Sequence, residues 1–194
     1  MIKIALTGNI AAGKSQAENI LISMGFKVID ADKINQNLLY KNADVKNEIK
    51  SIFGSSVFDE NGAVSKQKLG AIVFSSDIKR KQLENILHKR IIEKINIFFD
   101  ENKNEKLVFA SVPLLFEAEW ESYFDKIILV CAPEKERLKR LMHRNGSTEA
   151  EALKRIKAQS PETDKIKKAD FVIYNNSSLE NLKKAVINII SQFD

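Results

Sequence analysis

The chain of 194 residues carries 31 Lys plus Arg against 26 Asp plus Glu, a formal net charge of +5, with 44% hydrophobic residues and a single Cys. That length and apolar content bury one substantial core and exclude a disordered or collagen-like chain, while a lone cysteine excludes an internal disulfide framework or a tetrathiolate metal site. No apolar run approaches the roughly 20 residues of a membrane helix. Met1 to Ser15 also lacks a basic region followed by an apolar stretch, so no leader is expected and a reducing, cytoplasmic setting fits.

Ile2 to Thr7 is a short apolar run that stops at Gly8 and reads as a buried strand. Beyond a glycine loop, Ala17, Ile20, Leu21 and Met24 fall on one helical face, and Gly25 is placed to end that helix. Phe26 to Ile29 is a second strand closing on Asp30 and Asp32, which completes a β-α-β unit with a right-handed crossover. Residues 33–104 are mostly helical in pattern, most clearly where Leu83, Leu87, Ile91, Ile95 and Phe98 repeat, and no strand is expected there. A crossover needs only a dozen or so residues, so this stretch predicts a helical subdomain beside the sheet.

Three further strands are predicted at Leu107 to Val112, Lys126 to Val130 and Phe171 to Tyr174. Near-continuous apolar strands separated by helices indicate a parallel sheet covered on both faces. The expectation is a three-layer α/β/α fold on a five-stranded parallel sheet. Between the fourth and fifth strands, Pro133 to Ala158 holds eight Lys or Arg and four Glu, a local basic excess. Thr148 with Glu151 has the spacing of a capping box, predicting two helices with a turn near Gly146. The last helix carries Leu179, Leu182, Val186, Ile189, Ile190 and Phe193 on one stripe, and Ser177 with Glu180 has capping-box spacing.

Gly8-Asn9-Ile10-Ala11-Ala12-Gly13-Lys14-Ser15 is a complete G-x-x-x-x-G-K-[ST] phosphate loop between a predicted strand and a predicted helix. Its backbone N–H groups and the helix dipole hold phosphate oxygens, Lys14 adds charge for the β and γ phosphates, and the Ser15 hydroxyl ligates Mg²⁺. The fold expected is therefore of the P-loop NTPase type, with a nucleoside triphosphate and magnesium bound. Asp59 to Gly62 matches D-x-x-G and Asn102 to Glu105 comes near N-K-x-D, but both lie out of context and read as polar loops. The third strand ends Ala110-Ser111-Val112-Pro113, without the acid that an ATPase motor places there to hold magnesium. Acids instead follow the second strand, at Asp30 and Asp32, at the carboxyl edge where doubly wound sheets bind ligands; one of them can take a proton from an acceptor hydroxyl. Arg137, Arg140 and Arg144 share a helical face in the basic segment, as expected of a lid that stabilises transferring phosphate. That segment contains no Phe, Tyr or Trp, which argues against nucleic acid. Cys131 reads as a buried core residue.

In order along the chain, these motifs resemble the dephospho-coenzyme A kinase family. The resemblance rests on Leu6-Thr7-Gly8 with the loop, Val28-Ile29-Asp30-Ala31-Asp32, Val112-Pro113-Leu114-Leu115-Phe116-Glu117, Arg140 and Arg144, Gln159, and Ala169-Asp170-Phe171-Val172-Ile173 with Asn175. It implies ATP-dependent phosphorylation of the ribose 3′-hydroxyl of dephospho-CoA, the last step of coenzyme A synthesis, with Mg²⁺. It further implies a nucleotide-binding core of residues 1–32, 105–132 and 169–194, a helical acceptor (CoA)-binding domain of 33–104, and a lid of 133–168. By motif position Asp32 would be the general base, with Lys14 and Arg140 stabilising the phosphoryl group and Asp30 reaching the metal through water. ATP would be held by Gly8 to Ser15, Gln16, Arg140, Arg144 and Asn175, the last a candidate adenine contact or a cap of the last helix. The acceptor would meet Asp32, His88, Leu114, Leu115, Phe116 and Glu117, with Phe116 and Trp120 equally readable as core. The chain departs from the family pattern at Asn9, Ala11 and Ala12 in the loop, at Gln36, and at Lys89 after His88. A nucleoside monophosphate or other small-metabolite kinase and a non-catalytic ATP-binding module are the alternatives. No nucleic-acid or membrane partner is expected, and the chain is expected to be a monomer or weak homo-oligomer.

Overall fold

The computed structural model describes residues 1–193; Asp194 and the side chain of Asn145 lie outside the described set. Five strands form one wholly parallel sheet: β1 (Ile2–Gly8), β2 (Lys27–Asp30), β3 (Leu107–Ser111), β4 (Lys126–Cys131) and β5 (Phe171–Tyr174), in the order β2-β3-β1-β4-β5. Nearly every residue of β1, β3 and β4 is buried, as expected of inner strands of a parallel sheet with helices on both faces.

The chain forms two compact units, Met1–Asp30 with the chain from Glu101 onward, and Ala31–Asp100. In the first, α1 (Lys14–Ser23) and α9 (Leu179–Ile190) pack on one face of the sheet. Ile4, Leu6, Phe109, Ile128 and Val130 meet Ala17, Ile20, Leu21, Leu182, Val186 and Ile189 there. Helix α1 ends as Gly25 anticipates: Gly25 adopts φ 91°, its N–H donates to the Ile22 carbonyl, and the Phe26 N–H reaches back to Leu21, the double closure of a Schellman end. Cys131 alternates to the face opposite Ile128 and Val130, where α8 (Glu162–Lys168) lies.

The segment between β4 and β5 holds three helices where two were expected: α6 (Glu134–Asn145), α7 (Glu149–Lys157) and α8. Pro161, with φ −54°, cannot continue α7 and starts a new helix. The Thr148–Glu151 capping box forms in full. The expected Ser177–Glu180 box does not: α9 starts one residue later, Ser178 accepts from the Asn181 N–H, and Ser177 Oγ takes the Asn181 side-chain amide instead. Leu179, at the first helical position, is consequently exposed.

The second unit contains α2 (Ala31–Lys41), α3 (Ala43–Phe53), α4 (Lys66–Ser75) and nearly all of α5 (Asp77–Glu101). Leu38, Val45, Ile49, Phe53, Leu69, Ile86, Leu87, Ile91 and Ile95 of these helices are buried. Leu87, Ile91 and Ile95 are the middle of the sequence stripe. Leu83, at the start of the row, and Phe98, which follows Ile95 by three residues, are half-buried, and the i+4 continuation of the row is the buried Phe99. Asp59 to Gly62 is a tight turn: Asp59 Oδ1 accepts from the Asn61 and Ala63 N–H groups, both at 2.9 Å, and a lone Phe58–Val64 bridge flanks it. Arg90 pairs with Glu48 to tie α5 to α3. A cleft of about 380 Å³ is lined by Ile34, Asn37, Lys41 and Lys94.

Candidate active site

The loop Gly8–Ser15 leaves the carboxyl end of the central strand and enters α1. Gly8 abuts β4: a Cβ there would sit 2.6 Å from the Val130 carbonyl oxygen. Ala11 and Gly13 adopt φ 60° and 105°, and the Ala12 N–H donates to Asn9 O at 3.0 Å, folding the chain into a tight turn. Helix α1 starts at Lys14 with no side-chain cap and no acid in its first turn. Its first N–H groups and dipole are thus left for an anionic ligand.

Three side chains from later elements hold the loop. Asn175, following β5, is anchored by its N–H to Cys131 O at 2.8 Å, and its Nδ2 donates to Ala12 O at 2.9 Å. Arg140 of α6 donates to Ala11 O and Ala12 O, each at 3.4 Å, and to Asn175 O at 3.2 Å. Gln159 Oε1 accepts from the Ile10 N–H at 2.6 Å. Ile10 and Ala11 also pack on a small apolar cluster of Leu141, Ala152 and Ile156. Asn175 is therefore buried support for the loop and not a cap of the last helix.

Lys14 lies against the end of β3. Its Nζ donates to Ser111 Oγ and stands 3.6 Å from Glu18 Oε2, and Ser111 Oγ in turn donates to that same oxygen at 2.6 Å. Neither Ser111 nor Glu18 stood out in sequence; the available signal was an acid four residues after the loop lysine, on one face of the helix. Asp30 ends β2 in register with Ser111, on the same face of the sheet. Ser15 and Gln16 are exposed at the start of α1. In the second unit, Asp32 is exposed in the first turn of α2. His88 is half-buried on α5, and burial lowers its pKa, partly opposed by Glu84.

Of the three arginines expected on one lid face, Arg137 is buried, its Nε donating to Ala132 O at 3.1 Å; Arg144 is exposed. In the loop after β3, Leu114 is 51% exposed, whereas Leu115, Phe116 and Trp120 are buried. Glu117 Oε1 accepts from Lys165 Nζ at 2.7 Å and from the Ser160 N–H at 3.1 Å, tying this loop to α8. Lys165 is 1% exposed and, like Ser111 and Glu18, was not legible in the sequence. Burial pushes the Cys131 thiol up to about 12, and Glu162 beside it adds to the shift.

Among the described residues no three or more His, Cys, Asp or Glu side chains gather as a metal cage. A hydroxyl at the head of an uncapped helix with an acid nearby instead suits magnesium, which arrives on phosphates and keeps its waters. No helix of the described residues is long and apolar enough to cross a membrane.

The family model described as dephospho-CoA kinase matches residues 2–181. The dephospho-CoA kinase of Listeria innocua is 41% identical over 194 residues, covering 98% of this chain and 96% of the relative. The solved structure of a dephospho-CoA kinase from Campylobacter jejuni superposes with TM-score 0.73 at 30% identity, covering 98% of this chain and 96% of that one. A solved protein of Thermus thermophilus superposes with TM-score 0.84 at 34% identity, covering 100% and 98%.

Proposed function

The chain belongs to the dephospho-CoA kinase family, and from that premise we propose that it transfers the γ-phosphoryl group of ATP to the ribose 3′-hydroxyl of dephospho-CoA. The observation that carries the reading is the complete phosphate loop at the β1–α1 junction of a chain matched to the family from residue 2 to 181.

The loop N–H groups and the start of α1 bind the phosphates, with Gln16 at the same helix end. Lys14 and Arg140 neutralise charge that spreads over the transferring group. A guanidinium has five N–H donors, so Arg140 can brace the loop carbonyls and still face phosphate oxygens; Arg144, one turn on, is a further ATP contact. Asn175 acts on ATP through the loop it supports.

Magnesium would be held by Ser15, with Asp30 through water, and supplies positive charge that makes the terminal phosphate easier to transfer. Asp32 is the general base: it accepts the hydroxyl proton, and its place at a helix N-terminus favours negative charge. His88, Leu114 and the cleft flanked by Lys41 and Lys94 are candidate acceptor contacts, with Leu115, Phe116 and Glu117 shaping the loop that presents Leu114. Residues 33–104 form the acceptor-binding domain and 133–168 the lid of this reading, in a cytoplasmic protein without nucleic-acid partners.

The test is ADP release with ATP and dephospho-CoA, nucleoside monophosphates or no acceptor, with product mass as a second readout. Asp32→Asn is expected to lower turnover by about 10²- to 10⁴-fold while ATP affinity holds. Stimulation by a different acceptor overturns the substrate, and near-normal turnover of the variant overturns the base.

A further inference from the structure

In phosphate-loop enzymes an aspartate on a neighbouring strand holds magnesium together with the loop hydroxyl. Here β3, hydrogen-bonded to β1, ends on Ser111. A carboxylate reaches that place nonetheless, from a different element. Glu18 of α1 is 5% exposed and accepts the 2.6 Å hydrogen bond from Ser111 Oγ. It follows Ser15 by three residues, one turn along the same side of α1.

A carboxylate buried to this degree requires a cation or strong donors around it. Lys14 and Ser111 supply them, with Lys14 Nζ 3.6 Å from Glu18 Oε2. A polyphosphate that draws Lys14 toward its own oxygens removes part of that compensation. A hydrated divalent cation held by Ser15 restores it, because its waters are polarised donors.

We propose that Glu18, seated by Ser111, is a second magnesium-side carboxylate beside Asp30 and replaces the acid missing from the end of β3. Glu18 is a positioning residue: it accepts hydrogen bonds from the cation's water shell and trades Lys14 for that shell when nucleotide binds. Serine at 111 is then no loss of function, because its hydroxyl bridges to an acid one helix away. This rests on the reading of Gly8–Ser15 as a magnesium-ATP site.

The experiment titrates ATP into the full chain without acceptor, once with magnesium and once with EDTA, for wild type, Glu18→Gln, and the relocated pair Glu18→Ala with Ser111→Asp. Glu18→Gln keeps the shape of the side chain but removes its charge and replaces one acceptor oxygen with an N–H donor, and thermal melts check that it folds. The magnesium-dependent gain in affinity is expected to fall about tenfold in Glu18→Gln, the scale of a hydrogen bond to a charged group, and to return in the relocated pair. A wild-type gain that survives unchanged in Glu18→Gln overturns this proposal alone, as does a folded relocated pair that fails to recover it. A wild type whose ATP affinity is indifferent to magnesium overturns the loop reading and this proposal together.

Discussion

Replacing Gly13 with alanine is the sharpest probe of how the phosphate loop is held. Gly13 adopts φ +105°, and a Cβ on it would lie 2.1 Å from Asn175 Nδ2. Two costs combine. Alanine in this backbone region is strained by about 1–2 kcal/mol, and displacing Asn175 breaks its buried 2.9 Å bond to Ala12 O, worth about 1 kcal/mol or more. Gly13→Ala is therefore expected to cost about 2–4 kcal/mol. Asn175→Ala alone leaves the Ala12 carbonyl short of a donor, at about 1–3 kcal/mol. The double variant keeps the backbone strain but has no clash and loses the hydrogen bond only once, so its cost should fall below the sum by about 1–2 kcal/mol. Urea unfolding of the four proteins, followed by circular dichroism, measures the cycle. Additivity within about 0.5 kcal/mol would refute the claim that Asn175 and Gly13 define one another's space.

Lys165→Met removes the buried partner of Glu117 and should destabilise by about 3 kcal/mol, the low end for a broken buried pair because Glu117 keeps some solvent; adding Glu117→Leu should recover most of that loss in the same denaturant assay. Burial works against ionisation of Asp170, but the Lys126 ammonium and the Ile127 N–H outweigh it and hold the carboxyl below its usual range. Its contribution to stability is then present above the unfolded carboxyl pKa and lost as pH falls through the lower folded value, so Asp170→Asn should flatten the acid limb of a melting-temperature profile below about pH 4. Cys131, buried and with its thiol pushed up to about 12, should resist iodoacetamide at pH 8 until the chain unfolds; mass spectrometry that finds rapid native labelling would contradict its packing.

The strands were legible because a parallel sheet covered on both faces leaves near-continuous apolar runs, and Leu107 to Val112 can be little else. The phosphate loop was legible because its chemistry is local: glycines, lysine and serine at fixed spacing. What escaped depends on contacts across the fold. Nothing near Lys165 distinguishes it from the exposed Lys167 and Lys168, since its burial is decided by Glu117, 48 positions away. Ser111 and Glu18 meet only once β3 lies beside β1. Ser177 and Ser178 are both chemically able to cap, and a one-residue shift in the start of α9 decided between them. At Asn175 the sequence pattern placed the residue at the correct edge of the sheet, but its partner, the Ala12 carbonyl, is 163 positions away.

The same distinction explains how a loop poor in glycine can work. Ile10 and Ala11, both partly buried, pack against Leu141, Ala152 and Ile156, and Ala11 accepts a left-handed φ of 60°. Strain of about 1–2 kcal/mol there is offset in part by the partial burial of Ile10 on that cluster. The basic segment is thus more than a carrier of arginines, because α6 and α7 form one wall of the phosphate loop. Any swing of that segment must unpack Ile10, break the Gln159 bond to its N–H and withdraw Arg140 from two loop carbonyls. The position of this segment and the shape of the loop are therefore coupled in this chain, and substitutions at Leu141 or Ile156 should weaken ATP binding without touching it.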